Sequence, residues 1–140
     1  MSSYLRPTEL DEALRALSGG DLTIVAGGTD FYPAHVGKPV DEDILDVTAI
    51  RGLRGIEKRE DHWFVGATTT WTDLVRADLP GWFRSWKMAA REVGGVQIQN
   101  AGTMVGNVCN ASPAADGTPC LVAMEASVRL ASLAGERDVP

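Results

Sequence analysis

The stretch VAGGTDFYP, residues 25–33, begins as an apolar strand and then loses the character of a strand. Residues 22–26 predict a buried β-strand, and two adjacent glycines, Gly27 and Gly28, follow it. Glycine permits positive φ and leaves amide N–H groups uncovered, so successive amides can converge on an anion, and Thr29 adds a hydroxyl. The stretch predicts a rigid loop suited to phosphate or pyrophosphate, although a strand followed by two glycines is also an ordinary connecting loop.

The composition is typical of one globular domain. Its 140 residues are 44% hydrophobic and 23% charged, and a chain of this size buries roughly 70% of its unfolded surface. The formal net charge of −6 argues against nucleic-acid binding. No apolar run reaches the length of a membrane span, and the N-terminus lacks the basic and apolar regions of a signal peptide. We therefore expect a cytoplasmic protein.

Metal-binding patterns and the common nucleotide motifs are absent from the sequence. Cys109 and Cys120 have no CxxC spacing, and we interpret both as buried small apolar residues. His35 and His62 lie far apart, so we expect no metal site. Proline follows the only Gly-Lys pair, and no G-x-G-x-x-G opens a helix. Neither a P-loop nor a Rossmann site is predicted.

Hydrophobic periodicity and turn residues predict helices and strands that do not alternate strictly along the chain, which favours an α+β fold with a mainly antiparallel sheet. The longest predicted helix places Trp82 and Trp86 inward. The predicted strands are 22–26, 44–47, 56–58, 63–66, 103–109 (broken by a glycine) and 127–132, and the predicted helices end at Gly19-Gly20, start at Thr70, cover 81–93 and start at Pro113.

A second unusual stretch, NAGTMVGNVCNASPAAD, spans residues 100–116. Short hydrogen-bonding side chains are costly to bury without partners, and a ligand rich in phosphates and hydroxyls would supply them. Capping of a helix at Pro113 accounts for one of these side chains but not for the cluster. Two such loops predict an extended ligand, such as a dinucleotide, lying between them. The polar side chains of this stretch are Asn100, Thr103, Asn107, Asn110, Ser112 and Asp116.

Four motifs along the chain belong together: AGGTD at 26–30, GATTTWTDL at 66–74, the run VQIQN to ASPAAD at 96–116, and GERDVP at 135–140. With these motifs the chain resembles the FAD-binding domain of the molybdenum hydroxylases, the flavin or medium subunit of xanthine dehydrogenases and aerobic carbon monoxide dehydrogenases. The matching motifs run in family order along nearly the whole chain. The resemblance implies an FAD-binding domain of the PCMH type with two small α/β subdomains, over residues 1–55 and 56–140, the second built on a mainly antiparallel sheet and truncated at its C-terminus.

The resemblance also implies FAD as the cofactor and names the residues that would hold it. The backbone of the first loop would wrap the FAD pyrophosphate, while the second loop would face the phosphates and the adenosine side and Asp116 would hold a sugar hydroxyl. Substrate chemistry does not occur in the flavin subunit, so no catalytic residue and no metal ligand are expected. The cofactor-binding set is Val25, Ala26, Gly27, Gly28, Thr29, Asp30, Phe31, Gly102, Thr103, Gly106, Asn107, Ser112 and Asp116.

In this family a molybdopterin site in a large subunit supplies electrons to iron–sulfur clusters in a small subunit. The flavin subunit receives electrons from those clusters and passes them to an external acceptor. The resemblance therefore implies a flavin-dependent oxidoreductase subunit, or an N-terminal fragment of one, with those two subunits as partners. Val105 stands where the family usually has a glycine, and a valine would be strained there if the position needs positive φ or close approach to a phosphate. That position and the early end leave open an alternative, a scaffold or interaction module that has lost FAD binding.

Overall fold

Residues 2–140, which a computed structural model describes, mix short strands and short helices along the chain. The strands are β1 (Tyr4–Leu5), β2 (Thr23–Val25), β3 (Ile44–Asp46), β4 (Ile56–Lys58), β5 (Trp63–Val65), β6 (Val128–Ser132) and β7 (Gly135–Val139). The helices are α1 (Leu10–Gly19), α2 (Phe31–Ala34), α3 (Trp71–Arg76), α4 (Arg84–Glu92), α5 (Val96–Ala101), α6 (Met104–Asn110) and α7 (Gly117–Ala123), with a 3-10 turn at Gly81–Phe83. None of the helices within 2–140 combines the length and apolar character needed to cross a bilayer.

The first sheet is parallel and has the strand order β1-β3-β2. Helix α1 makes the connection from β1 to β2, and such a crossover permits parallel strands, whereas a tight turn would not. Ala13 of α1 forms a buried core with Leu45 and Ile50. Because Val25 lies beside Asp46 in the register, the end of β2 and the loop after it sit at the carboxyl edge of this sheet.

Both later ladders are antiparallel, as predicted for the second half of the chain. Strands β4 and β5 pair across a polar turn, with Ile56 opposite Val65. Strands β6 and β7 pair along five residues each, from Val128 opposite Val139 to Ser132 opposite Gly135. The α+β prediction is therefore confirmed, with the addition of the small parallel sheet near the N-terminus.

A second core gathers the tryptophan-rich helices. Its buried members are Trp71, Leu74, Phe83, Trp86, Ala90 and Met104. The inward placement of Trp82 is wrong, because the 3-10 turn that precedes α4 directs Phe83 into the core and leaves Trp82 54% exposed. The ring of Trp82 stacks on the ring of Phe83, with ring centroids 4.1 Å apart.

Two local predictions between residues 100 and 126 are wrong. Residues 103–109 are not a strand, because Thr103 caps helix α6 by accepting a hydrogen bond from the amide of Gly106 at 3.0 Å. Pro113 does not start a helix: Ala111 ends α6 at φ 53°, a turn follows, and α7 begins at Gly117. Local capping has outweighed the β-propensity of the valines here.

The interpretation of both cysteines as buried is wrong for Cys109, which is exposed on α6, while Cys120 is half-buried. The division of the chain at residue 55 stays a prediction. Contacts cross that boundary: the amide of Thr68 donates to the carbonyl of Leu53 at 2.7 Å, and the guanidinium of Arg54 binds the carboxylate of Asp73 at 2.8 and 3.0 Å.

Candidate functional site

The two glycine-containing loops meet in the structure. A Cβ atom added at Gly27 would lie 2.6 Å from the carbonyl carbon of Ala101 and 3.0 Å from the Cα of Gly102. Both distances are shorter than an ordinary carbon–carbon contact of about 3.5 Å, so the backbones touch with no room for a side chain. A Cβ atom at Gly102 would in turn lie 3.2 Å from the hydroxyl oxygen of Thr29. The predicted convergence of the two stretches is thus present in the fold.

The first loop is anchored at both of its ends. Val25 is buried, and its carbonyl accepts from the amide of Val47 at 3.0 Å, just beyond the strand ladder. Gly28 adopts φ 70°, a conformation that favours glycine, and its carbonyl accepts from the amide of Tyr32 at 3.0 Å as α2 begins. Residues 28–32 therefore form the turn that leads from the first loop into α2. Ala26 is half-buried, and Asp30 is exposed at the start of α2.

The loop amides have no internal partner. Within residues 2–140, the N–H groups of residues 27–30 donate to neither a backbone nor a side-chain acceptor, although Gly27, Gly28 and Thr29 are half-buried. Partly buried amides without a partner are unfavourable, and successive free amides in a turn form a concave site for an anion. This donor set fits the pyrophosphate of FAD.

A buried carboxylate, Asp46, lies beside Val25 in the strand register, where the first loop begins, and sequence reasoning missed it. Its oxygens accept from the hydroxyl of Tyr4 at 2.5 Å and from the amide and hydroxyl of Thr48 at 2.8 and 2.6 Å, and Arg6 lies 3.2 Å away. Burial raises the pKa of Asp46, but the hydrogen bonds from Thr48 and Tyr4, together with the charge of Arg6, outweigh burial and lower it below its usual value. The hydrogen bond to Asp46 raises the pKa of Tyr4 to about 12. The one available signal was an aspartate ending the apolar strand at 44–46.

The helix after the first loop is held by His35. Its Nδ1 donates to the carbonyl of Phe31 at 2.8 Å, and its Nε2 lies 3.2 Å from a carboxylate oxygen of Glu42. Both contacts favour the doubly protonated ring, so the Phe31 carbonyl first and Glu42 second raise the pKa of His35. The Phe31 ring is half-buried and lies against the imidazole, with centroids 4.4 Å apart. This pair fixes α2 against the segment that leads into β3.

The second loop is held by backbone pairing to the residues that open α3. Thr70 and Thr103 form an isolated antiparallel bridge, and the amide of Trp71 donates to the carbonyl of Gly102 at 3.2 Å. The side chain of Thr103 is directed inward, where its hydroxyl caps α6. Gly106 lies so close that a Cβ atom there would be 2.6 Å from the Thr103 hydroxyl oxygen. The hydrogen bond from the Gly106 amide to the Thr103 hydroxyl therefore sets the course of the second loop, and it leaves no room for a side chain at residue 106.

The strain expected at Val105 is not found. Within residues 2–140, the non-glycine residues with positive φ are Ala111 and Glu125, whereas Val105 lies inside α6. The cap at Thr103 places residue 105 in the first turn of a helix, a conformation that valine adopts at a small cost in propensity. The valine therefore does not distort the backbone at this position.

The remaining site residues surround the start of α7. The side-chain oxygen of Asn107 accepts from the amide of Gly117 at 3.3 Å, and the hydroxyl of Ser112 accepts from the amide of Ala114 at 3.2 Å. These two side chains shape the turn between α6 and α7. Asp116 is exposed, and its carboxylate does not cap α7. Its oxygens are open to a hydroxyl group of a ligand.

The arrangement is suited to binding, since it consists of backbone amides, small hydroxyl side chains and one open carboxylate. The described part of the chain brings no three His, Cys, Asp or Glu side chains close enough together to hold a metal ion. A cofactor held here would supply its own reactive chemistry, and the protein would position it.

Comparisons with known proteins agree with this geometry. Residues 1–140 match the family model described as the FAD binding domain in molybdopterin dehydrogenase. The chain is 33% identical over 140 residues to the glyceraldehyde dehydrogenase medium chain of Sulfolobus acidocaldarius, covering 98% of this chain and 50% of that protein. It is 33% identical over 144 residues to the xanthine dehydrogenase FAD-binding subunit of Escherichia coli, covering 99% and 49%.

A solved structure shares the fold. The carbon monoxide dehydrogenase of Hydrogenophaga pseudoflava, in a form lacking the Mo-pyranopterin moiety of its cofactor, contains a chain that matches with a TM-score of 0.86 at 27% identity. The match covers 99% of this chain and 50% of that one. This likeness confirms the predicted fold.

The chain spans about half the length of the curated relatives it matches. Those relatives are subunits of proteins named as dehydrogenases, and the matching family model confirms FAD as the predicted cofactor of the domain. With a family model that matches from residue 1 to residue 140, the chain belongs to the family of FAD-binding domains of molybdopterin dehydrogenases.

Proposed function

We propose that the chain binds FAD through its two loops. The observation that carries the proposal is the contact of Gly27 with Ala101 and Gly102, beside amides of residues 27–30 that lack an internal partner. The backbone from Val25 to Phe31 would wrap the pyrophosphate, with the free amides of residues 27–30 as donors, because successive free amides suit an anion. Asp116 would accept a hydrogen bond from a sugar hydroxyl.

The second loop would complete the site by shape more than by charge. Gly102 gives the first loop room to approach, and Thr103 and Gly106 set the course of the chain as α6 begins. Asn107 and Ser112 order the turn that leads to Asp116. Each of these groups would orient FAD, which supplies the redox chemistry when it is bound.

The wider role follows from the family. We propose an electron-transfer subunit, or an N-terminal part of one, in a molybdopterin-containing dehydrogenase of the cytoplasm. Its partners would be a small subunit with iron–sulfur clusters, which donates electrons, and a large subunit with molybdopterin, while an external acceptor receives them. Two subunits named for FAD or as medium chains, in xanthine and glyceraldehyde dehydrogenases, support this role. The subdomain division into residues 1–55 and 56–140 is part of the same proposal.

The test begins with the protein as it exists. FAD is added in excess, free flavin is removed by gel filtration, and the visible spectrum of the protein peak is recorded, followed by a fluorescence titration for the dissociation constant. A flavin spectrum that travels with the protein supports the proposal. A colourless peak would instead favour the alternative, a scaffold or interaction module that keeps the fold without FAD.

The titration is then repeated with Asp116→Ala. A hydrogen bond to a charged group is worth about 1.5–3 kcal/mol, so we expect the dissociation constant to rise about tenfold or more. Asp21→Ala is the matched control, because Asp21 is also exposed and precedes β2 away from the loops. Equal affinities of the Asp116 variant and the control would contradict the assigned role of Asp116.

A further inference from the structure

Trp71 touches both halves of the second loop region with opposite ends of its indole ring. A Cβ atom at Gly102 would lie 3.3 Å from Cδ1 of Trp71, and a Cβ atom at Gly117 would lie 2.8 Å from its Cη2 and 3.7 Å from its Cζ2. The side chain is 2% exposed, so it cannot move aside into solvent. The indole therefore fills the space between the start of the second loop and the start of α7.

The surroundings of Trp71 make this position informative. Its own amide donates to the carbonyl of Gly102 at 3.2 Å, so backbone and ring hold the same residue. A Cβ atom added at Gly102 would also lie 3.2 Å from the hydroxyl oxygen of Thr29 in the first loop. At the other end of the ring, Gly117 follows Asp116 directly and donates to Asn107 at 3.3 Å.

We infer that Trp71 is a positioning residue for the FAD site. Its indole acts as a spacer that sets the separation between the junction of the two loops, at Gly102, and the carboxylate of Asp116. The inference rests on the proposed function, because the two ends of the spacer are the parts proposed to hold the pyrophosphate and a sugar hydroxyl. Trp71 itself makes no contact with the ligand in this role.

The spacer can be separated from ordinary core packing with a matched tryptophan. Trp86 belongs to the same buried core and is 3% exposed, but atoms of Trp71, and none of Trp86, are among the three that a Cβ atom at Gly102 or at Gly117 would meet first. Trp86→Phe and Trp71→Phe both remove the same group of atoms from one core. A purely structural role predicts similar FAD affinities for the two variants.

The experiment measures FAD dissociation constants for Trp71→Phe, Gly117→Ala, the double variant and Trp86→Phe. Trp71→Phe and Gly117→Ala are each expected to raise the FAD dissociation constant about tenfold. An effect of this size lies within the range of interaction energies between residues that contact each other. Gly117→Ala crowds the indole, and Trp71→Phe removes the atoms it would meet, so the double variant should recover affinity to within about threefold of the wild type. Trp86→Phe should lower stability and leave affinity within about twofold.

Amide hydrogen exchange of the protein without ligand supplies a second readout. Trp71→Phe should speed exchange at Met104, whose amide donates to Thr69 at 3.2 Å, and at Gly117, more than Trp86→Phe does. If wild-type protein retains no FAD, the proposed function fails while the exchange data still test the spacer. Unchanged exchange at both amides, or equal effects of the two tryptophan variants on affinity and exchange, would overturn the inference.

Discussion

The contact between the two loops predicts a specific effect of the single substitution Gly27→Ala. Gly27 is not among the glycines with positive φ, so alanine fits its backbone conformation and the effect is steric alone. The added methyl group would meet the carbonyl carbon of Ala101 at 2.6 Å. Relief to an ordinary contact of about 3.5 Å requires the two backbones to separate by about 1 Å. The obstacle is backbone, so no side-chain rotation removes it.

That separation has two measurable costs. Insertion of a methyl group into a well-packed contact typically lowers the free energy of unfolding by about 1–3 kcal/mol. Moving the free amides of residues 27–30 by about 1 Å breaks at least one hydrogen bond to a bound phosphate, worth about 1.5–3 kcal/mol, so FAD affinity should fall at least about tenfold.

Urea unfolding measures the first cost, and a fluorescence titration with FAD measures the second. Gly19→Ala is the control, because a Cβ atom there meets nothing within 4 Å and the residue ends a helix. The control should be as stable as the wild type or more stable by up to about 1 kcal/mol. A Gly27→Ala protein with wild-type unfolding midpoint and wild-type affinity would refute the close contact of the loops.

Two further predictions follow from the same geometry. Val105→Gly should leave FAD affinity within about threefold of the wild type, because Val105 is already helical, and a gain of about tenfold or more would restore valine as an obstacle to binding. The lowered pKa of Asp46 stabilises the fold above the unfolded-state value of 3.8 and loses that contribution as pH falls through the lower folded value. Asp46→Asn should therefore lower stability at neutral pH by about 1–3 kcal/mol, weaken the pH dependence of urea unfolding below pH 3.8, and bring the pKa of Tyr4 down from about 12 in an ultraviolet titration. Neutral-pH stability and a Tyr4 titration equal to those of the wild type would refute the Asp46 network.

Local patterns in the sequence were sufficient where a single segment determines the outcome. The strand at 22–26 with its two glycines, the antiparallel pair at 56–58 and 63–66, and the strand at 127–132 all depend on neighbouring residues and were predicted close to their observed bounds. The strand predicted over residues 103–109 was wrong, because capping by the Thr103 hydroxyl made a helix more favourable than the strand that the valines suggested. Trp82 was misplaced since one 3-10 turn reverses which aromatic ring faces the core.

The side-chain contacts of Asp46 and Trp71 with distant segments were beyond sequence reasoning. The Asp46 network joins residues about 40 positions apart through the pairing of β1 with β3. The role of Trp71 requires Gly102 and Gly117 to lie at the two ends of one ring. Neither arrangement leaves a local pattern in a single sequence, because each depends on register and on packing distances.

The two hypotheses for the chain, an FAD-binding domain and a scaffold without FAD, differ in which structural features need a ligand. Gly27, Gly102 and Gly117 are each required by contacts inside the protein, so a scaffold without FAD would need these glycines as much as a flavin-binding domain does. The amides of residues 27–30 are different, because none of them donates to a backbone acceptor within residues 2–140, so the hydrogen bonding of the fold itself does not need them in this arrangement. A scaffold does not depend on these donors, whereas a domain that binds an anion does. The loop amides, more than the glycines themselves, are therefore the feature that favours FAD binding over a scaffold.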